Sequence, residues 1–273
     1  MPTFTHDAAN HYFSGQGVVM IGRKDPITGE PLGLRPVGNV PDMRITVGTT
    51  VVEHKGSQDG QRATDARLQT ETKVSVTITM ENWIAENVAK ALRGANAIIA
   101  GGSVTAELVW AYPGLVSGLK YIKVSAVVVK QGSVTLVPYT DGVAAWDYKL
   151  NEQAGSIMLN DGVAPNAAYS AYVPPAIAAD GSELSFAYTY ASQFIVDSLT
   201  EPMNDSWLRF EGLNTVEENS PVIVDIFRFA NDPLKELALL SDTFGQFVLE
   251  GSVLKDDSRP SGTSKYFSIK KLD

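Results

Sequence analysis

Hydrophobic and polar positions alternate with a period of two through much of this chain, the signature of strands with one buried face. In residues 42–54, Met43, Ile45, Val47 and Val51 fall on one side, and Arg44, Thr46 and Thr50 on the other. Residues 70–80 repeat the pattern, with Val74, Val76, Ile78 and Met80 opposite Glu71, Lys73, Ser75, Thr77 and Thr79. That second strand has a polar face made mostly of Ser and Thr, which suits a wet, unadhesive surface. The same alternation predicts strands over Trp207–Thr215, Val222–Phe229, Phe244–Leu254 and Lys265–Lys271. The first three of these each place a carboxylate on the polar side: Glu211, Asp225 and Glu250.

The period changes over Glu81–Gly94, which predicts a helix. Ile84, Val88 and Leu92 recur on one face, and Glu86 and Lys90 stand at i and i+4. Gly94 is placed to end the helix, and acid at its start with base at its end suits the dipole. A short helical turn is expected at Pro233–Leu240. Residues 55–69 lose all apolar periodicity and predict a long polar loop, a kind of loop that usually serves a function. Residues 1–32 are rich in turn chemistry, as in Asp25-Pro-Ile-Thr-Gly-Glu-Pro31, and predict an arm with a small hairpin.

Between these stretches the style differs. Short strands are predicted at Val104–Trp110, Lys120–Val129, Ser133–Pro138, Ala145–Leu150, Ser156–Leu159 and Glu183–Ala191. Asp141-Gly, Asn160-Asp-Gly and Asp180-Gly mark turns among them. This is an all-β, Ig-like or sandwich pattern. The expected fold is therefore mainly β. A β-sandwich or barrel domain from residues 1–98 and 199–273, flanked by one α-helix, hosts an inserted all-β domain at 101–198.

Composition narrows the function. The chain of 273 residues is 44% hydrophobic and 19% charged, which suits a folded protein. Its net charge of −9 argues against gripping nucleic acid through phosphates, although like charge would let a polyanion pass without sticking. Cysteine is absent, which excludes disulfides, thiolate zinc sites and cysteine catalysis. The N-terminus lacks the basic and apolar regions of a secretory signal, and no apolar run is long enough to span a bilayer.

Catalytic constellations are not apparent. His6, His11 and His54 have no metal-ligand spacing. Neither a Gly-x-Ser-x-Gly elbow nor a phosphate loop occurs, and Gly15-Gln-Gly17 followed by Gly22 has the wrong spacing for a dinucleotide fingerprint. Asp256-Asp257 reads as a solvated turn. Glu211, Asp225 and Glu250 each sit mid-strand, so a shared solvated face outweighs a carboxylate pair for glycoside chemistry. The aromatics Trp110, Tyr112, Tyr121, Tyr139, Trp146, Tyr148, Tyr169, Tyr172, Tyr188 and Tyr190 would bind a sugar or, more often, fill a sandwich core. No enzyme activity, cofactor or metal is expected.

Several stretches together resemble the major tail proteins, or tail tube proteins, of long-tailed bacteriophages. They are Leu34-Arg-Pro-Val-Gly-Asn39, Glu53-His-Lys-Gly-Ser-Gln-Asp-Gly-Gln-Arg62, the strand and helix of Val74–Gly94, Arg209-Phe-Glu-Gly-Leu-Asn214, Val224-Asp-Ile-Phe-Arg228 and Lys235–Gly245. The resemblance covers the host domain, not the insert to the same degree. It implies a structural virion protein in stacked, hexameric rings around a channel for DNA, assembled in the host bacterial cytoplasm. The implied partners are further copies of the chain, the tape measure protein, the tail terminator and distal tail proteins, and genomic DNA passing without specific binding; no membrane is involved. On this expectation Glu71, Ser75, Thr77, Glu211, Asp225 and Glu250 line the lumen. The charges of the polar loop, Asp59, Arg62, Asp65 and Arg67, set the register between rings. The alternatives are a decoration or binding protein that holds a glycan through its insert, and a glycosidase on a β-scaffold.

Overall fold

Strand alternation dominates the sequence, and the fold is accordingly mainly β, with antiparallel sheets and one α-helix among the described residues. The computed structural model describes residues 12–56, 60, 62–141, 146–161 and 181–272. The chain divides into two compact units. One comprises the residues up to Asn96 and from Val196 onward, the other Ala97–Ile195.

The first unit opens with β1 (Gly15–Arg23), β2 (Arg35–Pro36), β3 (Asp42–Lys55), β4 (Thr64–Met80) and α1 (Ala85–Leu92). The second contains β6 (Gly102–Ala111), β7 (Val116–Gly118), β8 (Val124–Gln131), β9 (Val134–Thr135), β10 (Tyr148–Asn151), β11 (Ser156–Leu159) and β12 (Ser182–Tyr190). Two strands absent from the sequence reading, β5 (Ala95–Ile99) and β13 (Gln193–Asp197), pair with each other where the chain passes between the units. The first unit then resumes with β14 (Ser206–Asn214), β15 (Ser220–Asn231), β16 (Phe247–Val253) and β17 (Phe267–Lys271).

In the first unit one sheet runs in the order β2-β1-β14-β15-β16-β4-β3, with β17 also on β15. β1 is therefore no arm: it pairs along its whole length with β14, from Gly15↔Asn214 to Arg23↔Ser206. The alternating apolar residues behave as their period demands. Val74, Val76, Ile78 and Met80 are buried with Ile21, Leu208, Ile226 and Leu249 in one core. Each such side chain contributes about 1.5–3 kcal/mol by leaving water. In β15 the residues that join this core step from Ile226 to Phe229, an odd interval for a strand. A bulge opposite Ser206–Leu208 absorbs the extra residue and keeps both on the core side.

The helix is shorter than predicted, and of its expected apolar face Val88 is buried while Ile84 is not. Ile84 is the N-cap, in extended conformation and 40% exposed. Ala85, Asn87, Val88, Ala89 and Ala91 are its buried residues, and Ala91 joins the core of the sheet. Buried Asn87 is fully used: its Nδ2 donates to Val37 O at 2.7 Å and Asn82 O at 3.1 Å, and its Oδ1 accepts from Arg35 at 2.7 Å. The left-handed residue that ends the helix is Arg93, at φ 49°, one before the expected glycine. Gly94 is needed for another reason, since a Cβ there would lie 2.4 Å from the Asp197 carbonyl oxygen. The last carbonyls of α1 are satisfied by the returning chain: Ala91 O accepts from Leu234 N at 2.8 Å and Leu92 O from Leu199 N at 3.1 Å.

Two further expectations are corrected. Residues 55–69 are no long loop, because β3 runs to Lys55 and β4 begins at Thr64. Pro233–Leu240 contains no helical turn, since its apolar side chains are spent separately: Leu234 and Leu237 pack on the core while Leu239 and Leu240 face solvent. In the second unit, sheets β6-β12-β8-β9 and β10-β11-β7 share one core that includes Val129, Tyr148, Ile157, Leu159, Leu184 and Phe186. The short strand β7, on β11, lay outside the predicted set.

Candidate functional site

The β3–β4 hairpin reaches well past the sheet that carries it. β16 pairs with β4 only over Val74–Met80, and every residue from Thr64 to Lys73 is exposed. The outer part is thus a two-stranded ribbon, a form that is marginal alone in water. Cross-strand contacts hold its register. His54 Nδ1 lies 2.6 Å from Asp65 Oδ1, Arg67 Nε lies 3.5 Å from Glu53 Oε1, and Thr70 Oγ1 donates to Thr50 O at 3.2 Å.

A bulge in this ribbon changes what each face presents. Thr50 faces Glu71, but Val51 faces Gln69, so Thr70 is the extra residue of β4. Beyond it Val52 opposes Leu68 on the face that carries Glu71, Ser75 and Thr77. Val52 is 56% and Leu68 66% exposed, an apolar pair with no cover. The expected inter-ring charges are distributed along this ribbon. Arg62 is exposed at its turn, while Asp65 contacts His54 and Arg67 pairs with Glu53 across the two strands. Asp59 lies outside the described residues. The sequence reading missed Val52 and Leu68; their signal was their apolar character inside a polar stretch.

Of the expected lumen residues, Ser75, Thr77 and Glu250 share one outer face. Arg44, Thr77 and Glu250 form one row across β3, β4 and β16, and Thr46, Ser75 and Ser252 the next. Glu250 is ion-paired with Lys235, whose pKa is raised by that hydrogen bond and charge. Glu71 stands farther out, 3.4 Å from Lys73.

Glu211 and Asp225 lie in a different cluster. Arg209 faces Asp225 in register, placing its Nε 2.7 Å from Glu211 Oε1 and its Nη1 3.3 Å from Asp225 Oδ1. Lys270 reaches Asp225 Oδ2 at 3.1 Å from β17 on the other side, and Trp207 Nε1 lies 3.4 Å from Oδ1. The Asp225 side chain is only 5% exposed. Asp225 is therefore a correction: it is no solvated wall charge but a buried carboxylate neutralised from both neighbouring strands. The alternation of β15 alone could not reveal this, because the cations come from β14 and β17. No carboxylate pair for glycoside chemistry joins Glu250 to this cluster.

A cleft of about 440 Å³ opens between β1, the end of α1 and residues 201–206. Arg23, Arg35, Lys90 and Arg93 line it, with Glu86 and Glu201 as the carboxylates. Burial lowers the pKa of Lys90 to about 8; Asp205 opposes the shift, and Arg23, Arg35 and Arg93 add to it. Arg93 Nε is buried without a hydrogen-bond partner. From the sequence, Lys90 is the i+4 partner of Glu86 and a base at the helix end, with no sign of the cleft.

The sign of the Lys90 effect is opposite to that of a salt-bridged lysine. Between pH 8 and the ordinary 10.5 the unfolded chain binds the extra proton. Stability therefore rises with pH over that window, by at most ~1.4 kcal/mol per pH unit. Lys90→Met should remove this slope and stabilise the chain at neutral pH. Urea unfolding across the window checks it; an unaltered slope in the variant would assign the effect elsewhere.

In the second unit, Tyr148 and Tyr188 are core residues, whereas Trp110 and Tyr139 are 57% and 44% exposed. Lys149 Nζ sits 4.7 Å from the Tyr139 ring centre and 5.2 Å from that of Trp146. Tyr169, Tyr172, His6 and His11 lie outside the described residues. Among the described residues no group of three or more His, Asp or Glu is placed to hold a metal ion. No described helix is long and apolar enough to cross a membrane.

A family model matches residues 12–270, and its description is "Protein of unknown function UCP028589". No curated protein matches the chain.

Proposed function

Since the chain belongs to that family of unknown function, we propose from its own geometry that it is a structural subunit that assembles with copies of itself. The assembly is a set of stacked, hexameric rings forming the tail tube of a long-tailed bacteriophage. One observation carries this reading: the β3–β4 hairpin ends the sheet as a long edge and continues as an exposed ribbon. A long open edge invites pairing with another chain, and closure into a ring is the arrangement that removes it.

Exposed apolar side chains support the same conclusion. Leu239, Leu240 and Phe244 are 77%, 95% and 88% exposed in the irregular segment before β16. Contiguous apolar surface of this kind marks a protein–protein contact. The ribbon, with Arg62, Val52 and Leu68, serves the contact between rings. Ser75, Thr77, Glu250, Glu71 and Glu211 face the channel, where a polar, weakly acidic wall lets DNA slide. Asp225 is left out of that wall because it is buried. Residues 97–195 are an inserted β-sandwich domain carried by this tube fold. The subunit catalyses nothing and needs no cofactor. It works in the virion tail after assembly in the host cytoplasm, next to tape measure, terminator and distal tail proteins.

Negative-stain microscopy of the purified chain tests this directly. Rings or tubes with a central hole are expected, and uniform small particles at every concentration would refute it. Within assembled tails, Glu250→Lys should leave tubes intact and lower infectivity, since a cation in the wall holds phosphate. Unchanged infectivity would remove Glu250 from the channel. A second reading, glycan binding by the second unit, draws on exposed Trp110 and, separately, on exposed Tyr139 with Lys149 beside its ring. A glycan array with the full chain decides it.

A further inference from the structure

The cationic cleft is unusual in a chain whose net charge is −9. Four cations line it against two carboxylates, and their hydrogen bonding is incomplete. Arg93 Nε is buried and unpartnered, and Lys90 Nζ has a long 3.4 Å contact to Asn204 O. Holding partly buried cations this way costs stability unless an anion arrives to accept their hydrogen bonds. Ile21, Ala89 and Pro202 add apolar surface to the same walls.

The chain also exposes a segment of matching chemistry. Glu236 and Asp242 are exposed and make no ion pair among the described residues. They flank Leu239 and Leu240 and precede Phe244, side chains that face water almost entirely. Within its own chain this segment does not line the cleft, whose wall on that side ends at Asn231.

We propose that the cleft of Arg23, Arg35, Lys90 and Arg93 is a socket for the segment Glu236–Phe244 of a second copy of this chain. Carboxylates of the segment meet Arg93 and Lys90, and its leucines cover the apolar wall. The contact joins two different patches, so it is heterologous, the type that generates a closed ring when the rotation closes. It rests on the self-assembly reading and names the residues that would carry it. It also gives Lys90 a role: burial disfavours its charged form, and a docked carboxylate offsets that cost.

Charge exchange tests it, with assembly followed by sedimentation velocity and microscopy on the full chain. Arg93→Glu alone and Asp242→Arg alone should each raise the concentration needed for rings at least tenfold. Combining the two should restore assembly toward the wild-type concentration. The milder pair Arg93→Gln and Asp242→Asn covers the case in which a reversal misfolds, as judged by circular dichroism, and should weaken assembly in the same direction. If the wild type assembles and none of these changes matters, or the double variant shows no recovery, the socket is refuted while self-assembly stands. If the wild type never assembles, the self-assembly reading fails first. Millimolar inorganic phosphate that raises the wild-type melting temperature but not that of Arg93→Glu, with the exchanges silent, would make the cleft a free-oxyanion site and overturn the proposal.

Discussion

Replacing Asp225 with alanine is expected to destabilise the first unit by about 3 kcal/mol, at the lower end of what losing one partner of a buried ion pair costs. The magnitude follows from who is left behind. Lys270 is 64% exposed and returns to water at little cost, whereas Arg209 is 29% exposed and keeps only Glu211. The indole N–H of Trp207 loses its acceptor as well. Asp225→Asn retains a hydrogen-bond acceptor and should cost less. Glu211→Ala, at a carboxylate 49% exposed, should cost under ~1 kcal/mol. Urea unfolding with an unchanged m-value measures all three. Equal losses at Asp225 and Glu211 would contradict the assignment of one as buried and the other as wet.

Shortening the hairpin should abolish tube formation while leaving the fold in place. Joining Thr50 to Glu71 through Asn-Gly removes Val51–Thr70, and a two-residue turn of this kind suits the twist of paired strands. The core begins at Val74, and the deleted β4 residues are all exposed, so the unfolding free energy should change by no more than ~1 kcal/mol. Tubes should vanish from micrographs and leave soluble monomers or isolated rings, because in the proposed assembly this ribbon is the contact to the next ring. The paired changes Val52→Ser and Leu68→Ser should act in the same direction with a smaller effect. Long tubes from the shortened chain would end the proposal that this ribbon connects rings.

How far each of these features was legible depends on what sets it. The apolar alternation of Val74–Met80 is answered by burial of the same residues, because a period of two beside a core leaves one outcome. The ribbon shows the converse. Neither of its faces meets a core, so nothing imposes apolar alternation, and a polar sequence that looks like a loop pairs through cross-strand charges and a bulge. The helix lies between these cases. Its place was evident from periodicity, but its tertiary surroundings decided which residues are buried, leaving Ile84 exposed and placing Ala91 in the core.

The sequence by itself determined that this protein is mainly β, where most of its strands lie, and that the helix follows β4. These are local matters of period and propensity. Only the tertiary structure decided that Asp225 is buried between Arg209 and Lys270, since the register of β14 on one side and the arrival of β17 from later in the chain on the other place those cations. It alone gathered Arg23, Arg35, Lys90 and Arg93 around one cleft, from segments that carry no shared sequence signal. Electrostatic environment depends on distance in space, and one-dimensional spacing does not encode it across strands.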